Sequence, residues 1–491
     1  MESFKGHQKA FLRNIVNMIL SDLHRFRGQF LFTKNTSFNY AWKKVVIKNY
    51  NLFFHPEIVF TNSTFDNKEL IMLGSIYDWE TPELSNKQLL DILLYTCSFE
   101  NFLKQLSKYS GQYIMLYCEK DNYFLLNDTA AQCEIFYDTS FVAFGSQPKL
   151  LCEVIAPEPH TSEDAVDFYN SREFLSRRIF VGDTTHFVNI KRLLSNHYIE
   201  INTKSVIRYF PSISIARQTT KEVVPKACQM LKGYIKAAAM RQKIAMGVTG
   251  GYDSRVLFLS SLDEKCKYYV VQHKNMTAKH HDIIVPRRLT KMYGRLFEVF
   301  QENDTYEEVS DSIDFPGVIP KIEMYSDEYV YLYGNISEIA RNFYGYRKNI
   351  SANDLAFFNG YGRFTYAKEI YGQWLECASF VQSNGYDILD LYYWEQRIGI
   401  IGTAYLSAIG KKIFSPYGSR DLLNLLLSTP RKDRDHYINR LYDSILLELS
   451  HDALKIPINP CKKHYMIRLM TRLKIYNIYK DLGMKYRFLK Y

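Results

Sequence analysis

The hydrophobic and polar positions follow two different patterns along the 491 residues. Up to residue 210, short apolar runs are separated by turn residues, which predicts strands at 70–76, 113–118, 123–127, 135–137 and 141–145. The turns Lys120-Asp121-Asn122 and Asp138-Thr139 predict an antiparallel hairpin region here. After residue 220, helical spacing alternates with short apolar runs, and this order predicts a parallel sheet built from βαβ units.

The same periodicities predict the remaining elements. Helical patterns cover 9–26, 84–106, 221–241, 256–262 and 282–292, and strands are predicted at 244–248, 268–272, 296–300 and, ending in a Gly-x-Gly turn, within 356–365. Residues 152–170 are predicted to be a loop-rich connection. A second loop-rich stretch, 211–220, marks the boundary between two domains, 1–210 and 211–491. The predicted fold class is an α+β N-terminal sandwich followed by an α/β parallel-sheet domain.

The candidate for chemistry is the segment from Lys243 to Arg255. Its buried strand ends at Gly250 and Gly251, which permit positive φ and close approach of the backbone, and a helix follows. Backbone N–H groups and the dipole at the start of such a helix favour an anion such as pyrophosphate. Asp253 is then the expected magnesium ligand. The alternative interpretation is a Gly-Gly turn of the kind that any α/β protein contains.

Residues Thr249-Gly250-Gly251-Tyr-Asp253-Ser254 resemble the pyrophosphate loop of the ATP pyrophosphatase superfamily, Ser-Gly-Gly-x-Asp-Ser, and its asparagine synthetase branch in particular. Thr249 replaces the first serine of that loop and keeps its hydroxyl. The resemblance implies an adenine nucleotide α hydrolase-like domain in which ATP and Mg²⁺ are the cofactors. It assigns nucleotide binding to this set of loop residues: Val248, Thr249, Gly250, Gly251, Asp253 and Ser254.

The N-terminal half resembles the class II glutamine amidotransferase domain of asparagine synthetases, which has an N-terminal nucleophile fold. The resemblance rests on the segments 106–117, 126–137, 142–147, 188–198 and 208–211, which occur in the family's order and spacing. Those enzymes attack glutamine with the cysteine that follows Met1, and its α-amino group serves as the base. Residue 2 is Glu and the first cysteine is Cys97, in an apolar setting. We therefore expect no glutaminase, and ammonia or another amine as the nitrogen donor.

The resemblance implies further site residues in the C-terminal half. Segment 356–365 stands where the family has a Gly-rich turn followed by acids, so Gly360 is assigned to the nucleotide and Arg363, in place of an acid, to offsetting phosphate charge. Lys462 or Lys463 is assigned to stabilising the reacting phosphate, and the alternative for both is a basic start to a solvated helix. Asp282 is expected to shape the site or to cap a helix.

Adjacent His280 and His281 suggest a metal site. Consecutive helical side chains diverge by about 100°, however, so we expect no shared ion. The eight cysteines are scattered without a Cys-x-x-Cys pair, which predicts reduced thiols.

The formal net charge of +10 is unevenly distributed, because residues 462–491 carry nine Lys or Arg against one acid, Asp481. These bases are interleaved with apolar residues, which indicates either a helix packed along one face or a segment that docks on an anionic membrane surface or a polyanionic substrate. No long uncharged apolar run and no secretory signal pattern occur, so the expected location is cytoplasmic.

The sequence therefore predicts an ATP-dependent amide-forming ligase that adenylates a small-molecule or sugar carboxylate, in surface polysaccharide or secondary metabolite biosynthesis. One alternative is a catalytically inactive scaffold, since two family motifs are altered. Another is a nucleic-acid-modifying ATP pyrophosphatase. The resemblance of the first half to an amidotransferase disfavours this alternative, so nucleic acid is not an expected partner. A homodimer is compatible with the sequence.

Overall fold

The computed structural model describes residues 26–38, 40–95, 98–177, 179–302, 306–308, 318–320, 325–326, 328–345, 347, 349–398, 412–476, 478–479 and 482. Glu2, Cys97 and all but the last residue of the predicted helix 9–26 lie outside them. The described residues form two antiparallel sheets followed by a parallel sheet. The predicted order of an α+β part and an α/β part is therefore confirmed.

The N-terminal part contains two six-stranded antiparallel sheets. Their strands are β1 (Phe30–Thr33), β2 (Lys43–Ile47), β3 (Tyr50–Phe54), β4 (Phe60–Phe65), β5 (Lys68–Tyr77), β6 (Ser110–Glu119), β7 (Asn122–Asn127), β8 (Phe136–Asp138), β9 (Ala143–Gly145), β10 (Ile190–Arg192), β11 (His197–Glu200) and β12 (Ser205–Arg208). The strand orders are β10-β8-β9-β1-β3-β2 and β12-β11-β7-β6-β5-β4. Both predicted hairpins are confirmed, because β6 pairs with β7 and β8 pairs with β9 in antiparallel register.

The two sheets pack face to face through alternating side chains. In β1, Phe30 and Phe32 belong to the core between the sheets, whereas Leu31 belongs to a larger core that also contains C-terminal residues. This division follows from the two-residue period of a strand. The layer between the sheets is filled by buried aliphatic side chains, among them Leu52, Ile71, Leu73, Ile114, Leu116 and Leu125.

Two helices, α1 (Asn86–Leu94) and α2 (Phe99–Leu106), cover the outer face of the second sheet. Leu89, Leu90 and Phe102 of these helices share a core with β5 and β6. The single helical pattern predicted over 84–106 is thus two helices. The side chain of Ser98 accepts a hydrogen bond from the backbone N–H of Asn101 and starts the second one.

Three short helices follow the strand β9: α3 (Pro148–Leu151), α4 (Glu163–Asn170) and α5 (Arg172–Arg177). The prediction of a loop-rich connection over 152–170 is therefore wrong for its C-terminal part. The helix α4 forms there because Ala165, Phe168 and Tyr169 lie on one face and are buried. Pro157 and Pro159 remain outside the helix.

The C-terminal part begins with α6 (Thr220–Arg241) and contains a five-stranded sheet in the order β15-β14-β13-β18-β19. Its neighbouring strands all run parallel, as the βαβ pattern predicts. The elements are β13 (Lys243–Gly247), α7 (Tyr252–Ser260), β14 (Cys266–Gln272), α8 (His281–Met292), β15 (Phe297–Gln301), the hairpin β16 (Tyr306–Glu308) and β17 (Val318–Pro320), β18 (Tyr329–Leu332) and β19 (Lys412–Phe414). The domain boundary at 210 stays a prediction.

The strand order reverses at β13. The strands β14 and β15 lie on one side of it, and β18 and β19 lie on the other. Open parallel sheets bind ligands outside the carboxyl ends of their strands at such a reversal. The crevice between the ends of β13 and β18 is therefore the position at which this fold favours a ligand.

The strand predicted within 356–365 is wrong. The helix α9 (Ala352–Phe358) occupies the first residues of that segment, and Gly360 follows with a φ of 76°. The helix starts at a capping box, in which the side chains of Ser351 and Asp354 each accept a hydrogen bond from the other's backbone N–H. The strand that lies beside β13 on the side opposite β14 is β18, in a tyrosine-rich stretch for which no strand is predicted.

The remaining helices surround the parallel sheet and the interface with the N-terminal part. They are the α-helices α10 (Thr365–Ala378), α11 (Ile388–Gln396), α12 (Arg420–Leu427), α13 (Arg440–Leu449) and α14 (Lys462–Arg472), and the 3-10 helices Asn335–Arg341, Ser379–Gln382 and Arg431–Asp433. In the part of the chain that the structure describes, no helix has the length and apolar character needed to cross a lipid bilayer.

A buried carboxylate in α11 joins the two parts of the molecule. Glu395 is fully buried and accepts hydrogen bonds from Arg208 at the end of β12, from Asn196 and from Trp374. The Arg208 Nη2 to Glu395 Oε2 distance and the Trp374 Nε1 to Glu395 Oε2 distance are both 2.9 Å. Three donors from different elements therefore compensate for the burial of this charge.

We expect Glu395→Gln to lower the free energy of unfolding by about 3 kcal/mol, because Arg208, 12% exposed, loses its counter-charge. Thermal unfolding followed by circular dichroism measures the change. Lys104→Ala is the control: it breaks only the exposed pair with Glu100, for which we expect less than about 0.5 kcal/mol. Equal melting temperatures for both variants would show that the Glu395 carboxylate does not hold the two parts together.

Candidate functional site

The candidate loop follows the central strand β13 directly. Val248 is buried, and its N–H donates to the carbonyl oxygen of Tyr269 in β14 over 2.8 Å, so this residue continues the sheet. The helix α7 then starts at Tyr252 with Gly251 as its N-cap, and no side chain caps it. The first N–H groups of α7 therefore lack both an intrahelical acceptor and a side-chain cap.

Side-chain oxygens accept hydrogen bonds from the loop backbone. The N–H of Thr249 donates to Ser254 Oγ over 3.0 Å, and the N–H of Gly250 donates to Asp282 Oδ1 over 2.8 Å. The hydroxyl oxygens of Thr249 and Ser254 lie 3.0 Å apart. The structure thus brings together four of the residues singled out in the sequence, in a loop whose amides point at oxygen acceptors.

The C-terminal segment reaches this loop through Asn459. Its N–H donates to the carbonyl oxygen of Gly250 over 2.9 Å. A Cβ atom at Gly250 would lie 3.3 Å from Asn459 Oδ1 and 3.2 Å from Asp282 Oδ1, so little space remains for a side chain there. Close packing therefore favours glycine at position 250. The positive φ expected of Gly250 and Gly251 is wrong, since Gly251 has a φ of −80° and Gly250 is not in the left-handed region either.

Asp253 is held by the turn that follows β18. Arg341 Nη1 donates to both of its carboxylate oxygens, over 2.8 Å to Oδ1 and 2.6 Å to Oδ2, and the Ser337 hydroxyl donates to Oδ1. A Cβ atom at Gly334 would lie 2.7 Å from Asp253 Cβ, so only glycine lets the turn approach this closely. The ion pair bridges the crevice between the ends of β13 and β18.

Arg341 is nearly fully buried, at 5% exposure. Its guanidinium carbon lies 5.4 Å from the ring centroid of Tyr252 and 5.7 Å from that of Tyr442, and its Nη2 donates to the carbonyl oxygen of His436 over 3.3 Å. Burial is the largest single influence and lowers the pKa of Arg341, but the charges of Asp253, Tyr442 and Glu338 and the hydrogen bond to Asp253 together raise it. No motif in the sequence marks Arg341, because only the fold brings it to the loop.

Tyr252, at the variable position of the loop, turns its ring into the protein. Its hydroxyl donates to Asp443 Oδ1 over 2.9 Å, and the side chain is buried. Burial raises its pKa. The ring of Tyr252 therefore packs against the Arg341 guanidinium inside the protein and does not occupy the crevice.

Glu338 places a second acid beside Asp253. Its carboxylate accepts a hydrogen bond from the Tyr393 hydroxyl. Burial, and after it the charge of Asp253, raises the pKa of Glu338. The turn that follows β18 thus contains an acid close to Asp253.

Other predicted site residues have contacts elsewhere. The carbonyl oxygen of Gly360 accepts from Arg177 Nη1 over 3.0 Å, and Arg363 Nη2 lies 2.8 Å from Glu173 Oε2, so both residues lie against α5. Lys462 and Lys463 begin α14, but their side chains lie outside the described structure. The site roles assigned to these four residues stay predictions.

A group of potential metal ligands borders the loop, because ligand atoms of His280, His281 and Asp282 lie within 4.8 Å of one another. The expected divergence of the two histidines is wrong, since His280 is the N-cap of α8 and has an extended backbone. His280 Nδ1 accepts the N–H of Asp282 over 3.3 Å, and Asp282 accepts the N–H of Gly250. Two of the three groups therefore already serve the helix cap and the loop.

Four thiols of the described chain are poor nucleophiles. Burial raises the pKa of Cys118 and Cys228 to about 12, and it raises the pKa of Cys133 and Cys266 as well. A raised pKa keeps the thiol protonated, whereas only the thiolate attacks. These four cysteines are therefore structural, as their scattered spacing predicts.

No protein-family model matches the chain, and no curated protein matches it significantly. Among solved structures it is similar to the glutamine phosphoribosylpyrophosphate amidotransferase of B. subtilis in complex with ADP and GMP, at 10% identity and a TM-score of 0.24, over 66% of this chain and 73% of that one. It is also similar to an allosteric regulatory enzyme of purine biosynthesis, at 10% identity and a TM-score of 0.24, over 63% and 69% of the two chains. Likenesses this distant assign no activity to the chain.

The residues around Asp253 do not fit a magnesium ion well. Magnesium requires carboxylate oxygens in near-octahedral geometry. Both oxygens of Asp253 already accept from Arg341, and a divalent cation bound to either would stand beside the guanidinium and be repelled by it. The raised pKa of Glu338 further weakens that acid as a ligand, since metal-binding carboxylates must be deprotonated.

We expect Gly334→Ala to destabilise the protein by about 1–3 kcal/mol, because the added methyl group meets Asp253 inside van der Waals distance. Gly372→Ala in α10 is the matched control: its Cβ would have only an ordinary 3.6 Å contact with Ala352, and alanine favours a helix by about 0.5–1 kcal/mol. Urea unfolding measures both. If Gly334→Ala is as stable as the wild type, the turn does not pack on Asp253 as described.

Proposed function

We propose that the chain binds ATP in the crevice between β13 and β18 and uses it to form an amide bond. One observation carries the proposal: the loop 249–254 lies at the end of the central parallel strand where the strand order reverses, and it is followed by a helix N-terminus without a side-chain cap. Such a position favours phosphate groups. The resemblance of the loop residues to the ATP pyrophosphatase motif supports a nucleotide in particular.

In the proposed reaction, a carboxylate oxygen of the substrate attacks the α-phosphorus of ATP. The bond from that phosphorus to the β-phosphate bridging oxygen breaks, and pyrophosphate leaves. An amine nitrogen then attacks the acyl carbon, AMP leaves, and the nitrogen loses a proton. The N–H groups at the start of α7 would stabilise the charge on pyrophosphate, and holding both substrates in one crevice would supply much of the remaining acceleration.

The proposed nitrogen donor is ammonia or the amine of a second molecule. The raised pKa values of Cys118, Cys133, Cys228 and Cys266 make these four thiols poorly suited to attack glutamine, which supports such a donor. The acceptor is a small-molecule or sugar carboxylate, as the resemblance suggests. Pyrophosphate release measured across uronic acids and amino acids, each with and without ammonium, is the screen for this pair.

An inactive scaffold is the second candidate. The hydrogen bonds of the loop favour this candidate, because the N–H groups of Thr249 and Gly250 already donate to protein oxygens. ATP would have to compete with Ser254 and Asp282 for these donors. Nucleotide binding therefore separates the two candidates.

We expect isothermal titration calorimetry to show ATP binding with a Kd between about 1 µM and 1 mM, the range usual for such substrates. Ser254→Ala should weaken binding by about tenfold, the loss of one hydrogen bond to a charged group. Ser379→Ala, which removes an exposed hydroxyl bonded only to the carbonyl oxygen of Glu376, should leave binding unchanged. Absence of binding by the wild type at millimolar ATP would favour the scaffold.

We also propose that α14 docks on an anionic membrane surface. Ile467 is buried and Arg468 Nη2 donates to the carbonyl oxygen of Ile458 over 2.8 Å, so one face of the helix is packed. On the other face, large apolar side chains are more than half exposed: Tyr465 (55%), Met466 (63%), Leu469 (58%) and Leu473 (60%). Exposed bases, Arg472 and Lys474, accompany them, and this combination suits an anionic lipid interface.

We expect the protein to sediment with phosphatidylserine vesicles at low salt and to be released at high salt, because each base contributes about 1 kcal/mol near such a surface and salt screens it. Leu469→Glu should reduce binding by about tenfold or more, since a charge replaces buried apolar area. Leu296→Glu is the control, because Leu296 is 85% exposed and lies outside α14. If Leu469→Glu binds vesicles like the wild type, the exposed face of α14 does not dock on a membrane surface.

A further inference from the structure

We infer that Arg341 takes the place of a divalent cation at the candidate loop, so that the loop accepts a phosphate group without a metal ion. The part that concerns the cation stands on the geometry of Asp253 and Arg341 alone. The part that concerns the phosphate ligand rests on the proposed function.

The position of the guanidinium is the first argument. Nη1 is within 2.8 Å of both carboxylate oxygens of Asp253, which are the atoms that would hold a metal ion at this loop. The Ser337 hydroxyl occupies a further acceptor position on Oδ1. The carboxylate is therefore already paired with a positive charge, and that charge belongs to the side chain of Arg341.

The surroundings of Arg341 are the second argument, because they prevent it from moving aside. The side chain is 5% exposed, packs against the rings of Tyr252 and Tyr442, and donates from Nη2 to the carbonyl oxygen of His436. A metal ion that displaced it would break the ion pair of a buried guanidinium with Asp253, which is costly. Arg341 is thus a fixed part of the site.

Charge balance is the third argument. Asp253 lies in the first turn of α7, next to the N–H groups that would receive a phosphate. An unpaired carboxylate at that place repels an anion, and a bridging metal ion is one way to cancel this repulsion. The Arg341 guanidinium cancels it internally. The helix N-terminus is then free to attract the phosphate with its own dipole.

The first experiment uses Mn²⁺ alone as the probe and needs no nucleotide. Mn²⁺ is titrated into the wild type, Asp253→Asn, Arg341→Met and the double variant, with binding followed by electron paramagnetic resonance. Because Arg341 occupies the position of the metal ion, we expect Asp253→Asn to bind as much Mn²⁺ as the wild type does. Arg341→Met should gain a Mn²⁺ site, and the double variant should lose it. Binding by other groups, such as His280 and His281, cancels in this comparison.

A wild-type Mn²⁺ site that is abolished by Asp253→Asn would overturn the inference. This comparison remains decisive if Arg341→Met does not fold, because it uses only the wild type and a nearly isosteric variant. Thermal unfolding of each protein establishes which variants are folded. Arg440→Met, which removes an exposed arginine 3.7 Å from Asp433, is the control for loss of an arginine and should gain no Mn²⁺ site.

The second experiment measures ATP binding by calorimetry in EDTA and in excess Mg²⁺. We expect wild-type affinities that agree within about twofold, and Arg341→Met affinities that fall by about tenfold or more in EDTA and recover in Mg²⁺. Wild-type binding that disappears in EDTA would overturn the inference while leaving the proposed function intact. Absence of ATP binding in both buffers would instead overturn the proposed function, and the Mn²⁺ result would decide on Arg341 by itself.

Discussion

The ion pair between Asp253 and Arg341 is the constraint on which the candidate site depends. It joins the helix after β13 to the 3-10 helix after β18, and these are the two strands between which the sheet order reverses. Taking two charges out of water is costly, and the cost is offset here because the Ser337 hydroxyl and the rings of Tyr252 and Tyr442 complete the surroundings. The requirement for glycine at position 334 follows from the short distance across which this pair must form.

The N-terminal part contacts the residue that follows β18. The hydroxyl of Tyr333, directly after β18, accepts a hydrogen bond from Gln112 Nε2 in β6 over 2.8 Å. The largest hydrophobic core is shared as well, because it contains Leu31 and Phe53 of the first antiparallel sheet together with Val256 of α7. The antiparallel part therefore has a structural role, because it shares a hydrophobic core with the parallel part and buries apolar surface there.

Much of the fold could be predicted from the sequence, because its signals are local. The strands β5, β6 and β7 and the parallel order around β13 follow from hydrophobic periods and from turn residues that neighbours along the chain supply. The errors have local causes too. The helix α9 was hidden by its aromatic residues and by the glycines that follow it, although Ser351 and Asp354 form a capping box, and β18 lies in a tyrosine-rich stretch whose period is ambiguous.

The sequence by itself determined the loop: an apolar run, two glycines, an acid, a hydroxyl and a helix start are adjacent, so their spacing alone predicts how they fold. Only the tertiary structure decided what surrounds it. Arg341, Glu338, Asp282 and Asn459 are separated from Asp253 by tens to hundreds of positions. The first three lie near the loop because they follow parallel strands that end at one edge of the sheet, whereas Asn459 comes from the segment after α13. The charge state of the site depends on these distant residues, since electrostatic energies depend on distance and burial and not on separation along the chain.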